Sequence, residues 1–422
     1  MNLEKSLINY LLVALVVLLI SINVTFLANA IVYYIILLLV CFLVLTTRTL
    51  LEFILAFTLF GQSITHIMPI PFSLIIIALG GITFTYFLVK YNKWYINLKV
   101  LSFTIILGVF YFVSAFQIDS EYGLFKVKYL LLYCLFFVMV YPYLIHKSYS
   151  NYKINMSVFL LYGVVLISSI FILTGNVFEV FGTYNPTSNG IGLRAISEYD
   201  SIYFGRSAGL LLFISVFSLE AKNKNTVLVC CCSFILASFL LYFSQTRQGF
   251  IALLAITLIY LFFYANNNII RLTLGMVASF SFFLFRGVSL VDESGRLSIN
   301  FDNRSSHWSN SIEIISANPI FGKGIGNYMD GLAVWPHNIF LEILVELNLG
   351  FVIAFSFLLS YCIYVSLKNL NSKIKQCSFL SYLLIYYILC AQISADFSRN
   401  TALFFSMIVI LIFNSRTFNH ER

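Results

Sequence analysis

Two polar stretches interrupt a strongly apolar chain: Gly322-Lys323-Gly324-Ile325-Gly326-Asn327-Tyr328 and, just after it, Trp335-Pro336-His337-Asn338. A Gly-rich, His-containing segment of this length is hard to explain as a mere link between apolar runs, so this is where chemistry is expected. Asn338 is placed to cap a helix starting near Ile339, which sets His337 one residue outside that helix's positive end. Glu342 and Glu346 follow at i, i+4 on the same helix. A lone loop His is more often structural or solvated, and carboxylates near a helix N-terminus are often simple dipole partners. At the mouth of a membrane helix, however, ionisable groups tend to face a polar cavity. The Gly-x-Gly-x-Gly spacing allows a sharp turn or close approach to a ligand. With no strand before it, neither a dinucleotide fold nor a P-loop is credible.

The elements that must position these residues are membrane helices. The chain has 422 residues, 60% hydrophobic and only 10% charged. Runs of about 20 apolar residues cross some 30 Å of hydrocarbon. Spans are expected near 7–27, 31–46, 49–67, 70–89, 97–117, 126–146, 155–174, 202–219, 226–243, 248–264, 268–285, 338–366, 378–395 and 401–414. The second and last are short, so the fold class is an all-α polytopic transmembrane bundle of about 12–14 helices. The first run is too long for a cleavable signal and lacks a small-residue cleavage site.

Basic residues set the orientation. Lys90, Lys93, Lys99, Lys147, Lys153, Lys368, Lys373 and Lys375 fall in alternate connections, which by the positive-inside bias are cytoplasmic, as are both termini. On the opposite side Arg194, Arg206, Arg247, Arg286, Arg296, Arg304 and Arg399 outnumber Lys126, Lys128 and Lys323. Arginine on that side calls for a reason, and a planar fork suited to phosphate or carboxylate supplies one. The plainer reading pairs them with Glu198, Asp200, Asp292, Glu293 and Asp302 in the same loops. The net charge of +8 is thus a topology signal and points to no nucleic acid. None of the eight cysteines falls in an outward loop, which excludes a disulfide framework, and no His or Cys pair has metal-ligand spacing.

Two regions follow: 1–174, close-spaced transmembrane helices, and 175–422, transmembrane helices with elaborate outward loops at 175–201 and 286–337. A tight outward turn at Ser244-Gln245-Thr246-Arg247-Gln248-Gly249 lies between those loops. In the first region Gly80-Gly81 offers small residues for close helix packing. In 306–316, Trp308, Ile312 and Ile315 recur at i, i+4, i+7, an apolar face on a polar helix suited to the membrane interface, and Asn318-Pro319 ends it. Glu52 is the clearest charge inside a span.

The stretch from Arg304 to Gly350 contains N-P-I-F-G-K-G-I-G-N-Y and then P-H-N-I-F-L-E-I-L-V-E-L-N-L-G. It resembles the signature region of the O-antigen ligase and O-antigen polymerase (Wzy-like) superfamily: a G-x-G-x-N turn, a loop, and H-N-x-x-L-x-x-x-x-E-x-G-x-x-G entering a membrane helix. Arg247 in S-Q-T-R-Q-G-F-I-A-L-L looks like that family's S-R-G-x-x-L-A-L turn, and its first outward Arg is matched by Arg194 or Arg206. Gln248 and Asn348 depart from the pattern without touching the His or Arg positions.

The resemblance implies a glycosyltransferase of the bacterial inner membrane with its site on the periplasmic side. The donor would be an undecaprenyl-diphosphate-linked oligosaccharide embedded in membrane lipid, with a chain-length regulator among the partners allowed and no cofactor or metal. A polymerase would join lipid-linked repeat units; a ligase would move the finished glycan to lipid A-core. His337 would activate the acceptor hydroxyl or position a phosphate, and Arg247 would stabilise the charge of the departing diphosphate. Arg194, Arg206, Arg304, Lys323, Asn338 and Glu342 would bind substrate. From another class comes a transporter of the same lipid-linked sugars, which favours charged or broken helices at mid-membrane. The scarcity of charge within the spans argues against it.

Overall fold

A computed structural model describes residues 49–61, 72–91, 105, 108, 109, 112, 118, 120–149, 153–173, 198–218, 224–244, 247–263, 296–328, 336–370, 372, 375–392 and 400–414. The expected spans 7–27, 31–46 and 268–285, most of 97–117, and Arg194 lie outside these residues. Among the described residues there are helices and no strands: α1 (Leu50–Phe60), α2 (Phe72–Tyr91), α3 (Glu121–Tyr149), α4 (Met156–Leu173), α5 (Glu198–Ser218), α6 (Lys224–Ser244), α7 (Arg247–Phe263), α8 (Arg296–Ala317), α9 (Ile339–Glu346), α10 (Leu349–Asn369), α11 (Lys375–Ala391) and α12 (Thr401–Asn414). Apart from α8, these fall in the apolar runs of the sequence. Such helices are apolar on all sides because lipid, not water, is their solvent. Glu121–Ser148 and Leu349–Asn369 are long and apolar enough to cross a bilayer, and eight shorter apolar stretches accompany them. Leu131, Leu135 and Val138 on α3 and Ile353, Phe357 and Tyr364 on α10 remain exposed, a surface suited to hydrocarbon. The protein is a helical membrane bundle.

The chain divides into two compact units, one drawn from Met1–Tyr86, Lys153–Leu253 and Ala265–Ala278, the other from Phe87–Tyr152, Leu254–Tyr264 and Ser279–Arg422. In the first, α5 packs on α6 and both pack on α4, which also meets α1. Glu52 on α1 is fully buried, and its Oε1 accepts from the backbone N–H of Asn155, 2.8 Å away, at the start of α4. A carboxylate at a helix N-terminus meets both the orphan N–H and the positive end of the dipole, so this charge serves the fold. Thr49 and Tyr162 hydroxyls bond beside it at 2.8 Å. A Cβ at Gly163 would come within 2.7 Å of the Phe60 ring, which brings α4 flush against α1. At Gly81, by contrast, no atom beyond its own stretch of helix, among the described residues, lies within 4 Å of where a Cβ would stand.

In the second unit, α12 packs on α3, α10 and α11, while α9 touches α8 and α10. Here the expected continuous span 338–366 is broken. Leu347 is extended (φ −111°, ψ 163°), and the Asn348 side chain accepts from Phe351 N at 2.9 Å, starting α10 afresh. Backbone bonds from outside the span hold the break: Lys323 N donates to Val345 O (2.7 Å) and Leu349 N to Ile320 O (2.8 Å). A hydropathy pattern registers neither bond, which is why one apolar run covers a half-helix and a full span.

Candidate functional site

The site grows from the turn Pro336-His337-Asn338. The Asn338 Oδ1 accepts from Phe340 N (3.0 Å) and Leu341 N (3.2 Å), capping α9 as the sequence predicted, and its Nδ2 donates to Gln392 Oε1 (3.1 Å). With both ends of its amide engaged, Asn338 is an anchor for the turn. His337 takes a left-handed backbone, φ 55°, where a β-carbon is crowded and the cost is about 1–3 kcal/mol. That strain is maintained by the fixed residues on either side. Asn338 is pinned as described, and the Pro336 carbonyl accepts from Trp308 Nε1 at 3.0 Å.

Trp308 belongs to α8, which ends at Ala317 just before Asn318-Pro319, as expected. Of its predicted apolar face, Trp308 and Ile312 are exposed and Ile315 is half-buried; beyond the helix, Ile320 and Phe321 add to the exposed apolar surface. One turn of α8 also presents His307 to His337, with ring centroids 6.2 Å apart and planes at 66°. The His307 carbonyl accepts from the Tyr328 hydroxyl (2.6 Å) and from Ser311 Oγ (2.7 Å). Burial pushes the Tyr328 phenol above its ordinary pKa, so it stays a hydrogen-bond donor.

The glycines of the turn before Tyr328 have positive φ, 69°, 95° and 78° at 322, 324 and 326. Their close approaches are to the protein itself. A Cβ at Gly326 would stand 2.5 Å from the Gly123 backbone at the start of α3, and one at Gly322 would meet the Leu347 and Val345 carbonyls. Glycine is therefore required to seat this turn between α3 and the α9–α10 break. Gly123→Ala is expected to lower stability by about 1–3 kcal/mol, since its Cβ would overlap the Ile325 carbonyl. Gly81→Ala, whose Cβ would meet no atom among the described residues, is the control and should melt no lower than the parent. Thermal unfolding of the two variants in detergent checks this.

Beneath the turn lies a buried ion cluster. Lys126 of α3 donates to Glu342 Oε1 (2.6 Å) and to both oxygens of Glu346 (2.8 and 2.9 Å). The three residues are 1%, 0% and 3% exposed. The Lys126 ammonium also sits 5.2 Å from the Tyr122 ring centre. Glu342, expected to bind substrate, is here half of an acid pair that fastens α9 to α3.

The remaining candidates divide. Lys323 shares the unit of His337, but its backbone is tied to Val345, at the far end of α9 from Asn338. Arg304 stands on α8, three residues before His307. Arg206 and Arg247 belong to the other unit, where a Cβ at Gly249 would run into the Gly205 carbonyl, so the start of α7 packs closely on α5. Arg206 is buried, with its guanidinium 5.5 Å from the Tyr203 ring centre. Sequence reasoning did not single out His307, Tyr328 or Lys126. The i, i+4 acid pair at the mouth of an apolar helix was the available sign that a buried cation must exist.

Residues 232–358 match the Wzy_C family, described as O-antigen ligase. That segment contains Arg247, Arg304, Lys323, His337, Asn338 and Glu342, and runs from within α6 into α10; Arg194, Arg206 and Lys126 precede it. No curated protein matches the chain.

Proposed function

We propose, from a membrane bundle that carries this O-antigen ligase domain, that the chain is a surface-polysaccharide polymerase joining undecaprenyl-diphosphate-linked repeat units. The strained His337, pinned on both sides beside a second imidazole, carries the reading, because strain held in this way marks a side chain aimed at a ligand. In the reaction the anomeric C–O bond to the diphosphate breaks and a bond to the acceptor hydroxyl forms. The hydroxyl proton passes to His337, and the lipid diphosphate leaves as an anion stabilised by Arg247 and Arg206. No cofactor or metal is needed. Arg194, Arg304 and Lys323 bind the donor, while Asn338 and Glu342 position His337 through α9. The exposed Trp308 and Ile312 rest α8 on the membrane interface. The membrane is the bacterial inner membrane, with the site on its periplasmic face.

The ligase reading has one observation in its favour, the description of the matched family. Transport has another: a broken helix and buried charges are features that transporters use at mid-membrane. Lys126, however, lies only about 8 Å along α3 from Glu121, near the end of the helix rather than its middle.

The test uses the purified protein in a defined bilayer with synthetic undecaprenyl-diphosphate-linked units. Chains that lengthen on the carrier without lipid A-core establish the polymerase. Transfer only with lipid A-core present establishes the ligase, and movement of units across the bilayer without a new glycosidic bond establishes transport. For orientation, K323C in a chain stripped of native thiols is expected to react with an impermeant reagent before the inner membrane is permeabilised. Reaction only afterwards would invert the topology and move the site to the cytoplasm.

A further inference from the structure

We propose that His307 is a second substrate-binding imidazole of the His337 site, taking an oxygen of the donor's diphosphate while His337 takes the acceptor hydroxyl; this rests on the transfer reading above. The shortest hydrogen bonds at His307 are made by its backbone. The carbonyl receives the Tyr328 hydroxyl and Ser311 Oγ, and the neighbouring Trp308 indole fastens α8 to Pro336. None of these bonds needs the ring. On the ring, Nδ1 lies 3.5 Å from the Tyr328 hydroxyl, and among the described residues no protein group bonds to Nε2. His307 is only half-buried, and a ligand bonding to Nε2 would displace no hydrogen bond among the described residues.

The spacing suits a single reacting centre. Attacking and departing oxygens are both held by one anomeric carbon, and reacting atoms in a productive complex stand about 3–3.5 Å apart. Two N···O hydrogen bonds of about 2.9 Å reach such a pair from rings whose centroids are 6.2 Å apart. The step balances without an added reagent. As the new C–O bond forms and the C–O bond to diphosphate breaks, the acceptor proton goes to His337 and the diphosphate leaves as an anion. His307 donates an N–H to that anion and transfers no proton.

The experiment measures kcat and KM for the lipid-linked donor with wild type, H307A and H307Q in the same bilayer system, alongside melting temperatures in detergent. H307A should raise the donor KM by about 10–100-fold, the loss of one hydrogen bond to a charged group, at an unchanged melting temperature. H307Q, which keeps an N–H donor, should recover part of that loss. A KM within twofold of wild type overturns the inference. So does a loss that comes with a lowered melting temperature and is not rescued by Gln, because the ring would then be structural. If wild type itself transfers no glycan, the transfer reading falls and this role falls with it.

Discussion

His337→Ala lowers glycan transfer by about 10²–10⁴-fold, the usual cost of losing a general base, while the lipid-linked donor still binds. Alanine keeps the β-carbon that φ 55° crowds, so the backbone strain is the same in variant and parent. Single-turnover transfer and donor binding, measured separately on purified protein, check the two halves of the expectation. A variant within a few-fold of wild type reduces His337 to a turn residue. Loss of donor binding at unchanged single-turnover rate makes it a phosphate positioner instead.

Lys126→Met has the largest expected effect on stability. It leaves Glu342 and Glu346 buried without their cation, and breaking a buried pair in this way costs about 3–5 kcal/mol. Neutralising all three positions, as K126M/E342Q/E346Q, removes the uncompensated charge and should restore most of the loss. The melting temperatures of the two variants in detergent decide it. If K126M melts with the parent, the cluster is not what holds α9 on α3. Activity gives an independent check: because α9 carries Asn338 and through it His337, K126M should lose transfer even below its melting temperature.

Much of this arrangement was legible in the chain for local reasons. Asn338 capping α9, Pro319 ending α8 and the sharp turns at Gly322, Gly324 and Gly326 all follow from the conformational limits of single residues. What those turns face was not legible. Gly326 meets Gly123, and nothing in either neighbourhood names the other. The break at Leu347-Asn348 escaped because the largely apolar run from 338 to 366 reads as a continuous span, and the bonds that split it come from Ile320 and Lys323. His307 escaped for a related reason. It follows Ser306 and precedes Trp308 on a polar helix, and only folding sets its ring before His337. Arg206 reads as an outward cation at the start of the span 202–219; it lies buried in α5, next to Gly205, whose carbonyl α7 approaches closely at Gly249.

The ion cluster also constrains how the chain is made. Lys126 and Glu342 are 216 residues apart, about 10–40 s of synthesis at 5–20 residues per second. Throughout that interval α3 exists without its acids, and Lys within an apolar segment costs up to about 2.5–3.5 kcal/mol to insert at the bilayer centre. Its position near the end of the helix offers a way to wait: the ammonium stays among the lipid headgroups on its flexible stem. Only when α9 has emerged can α3 slide to its final depth and bury all three charges together. Seating of α3 is thus completed by a helix whose acids are translated 216 and 220 residues after Lys126, and chains released before Glu346 should hold α3 shallow in the membrane.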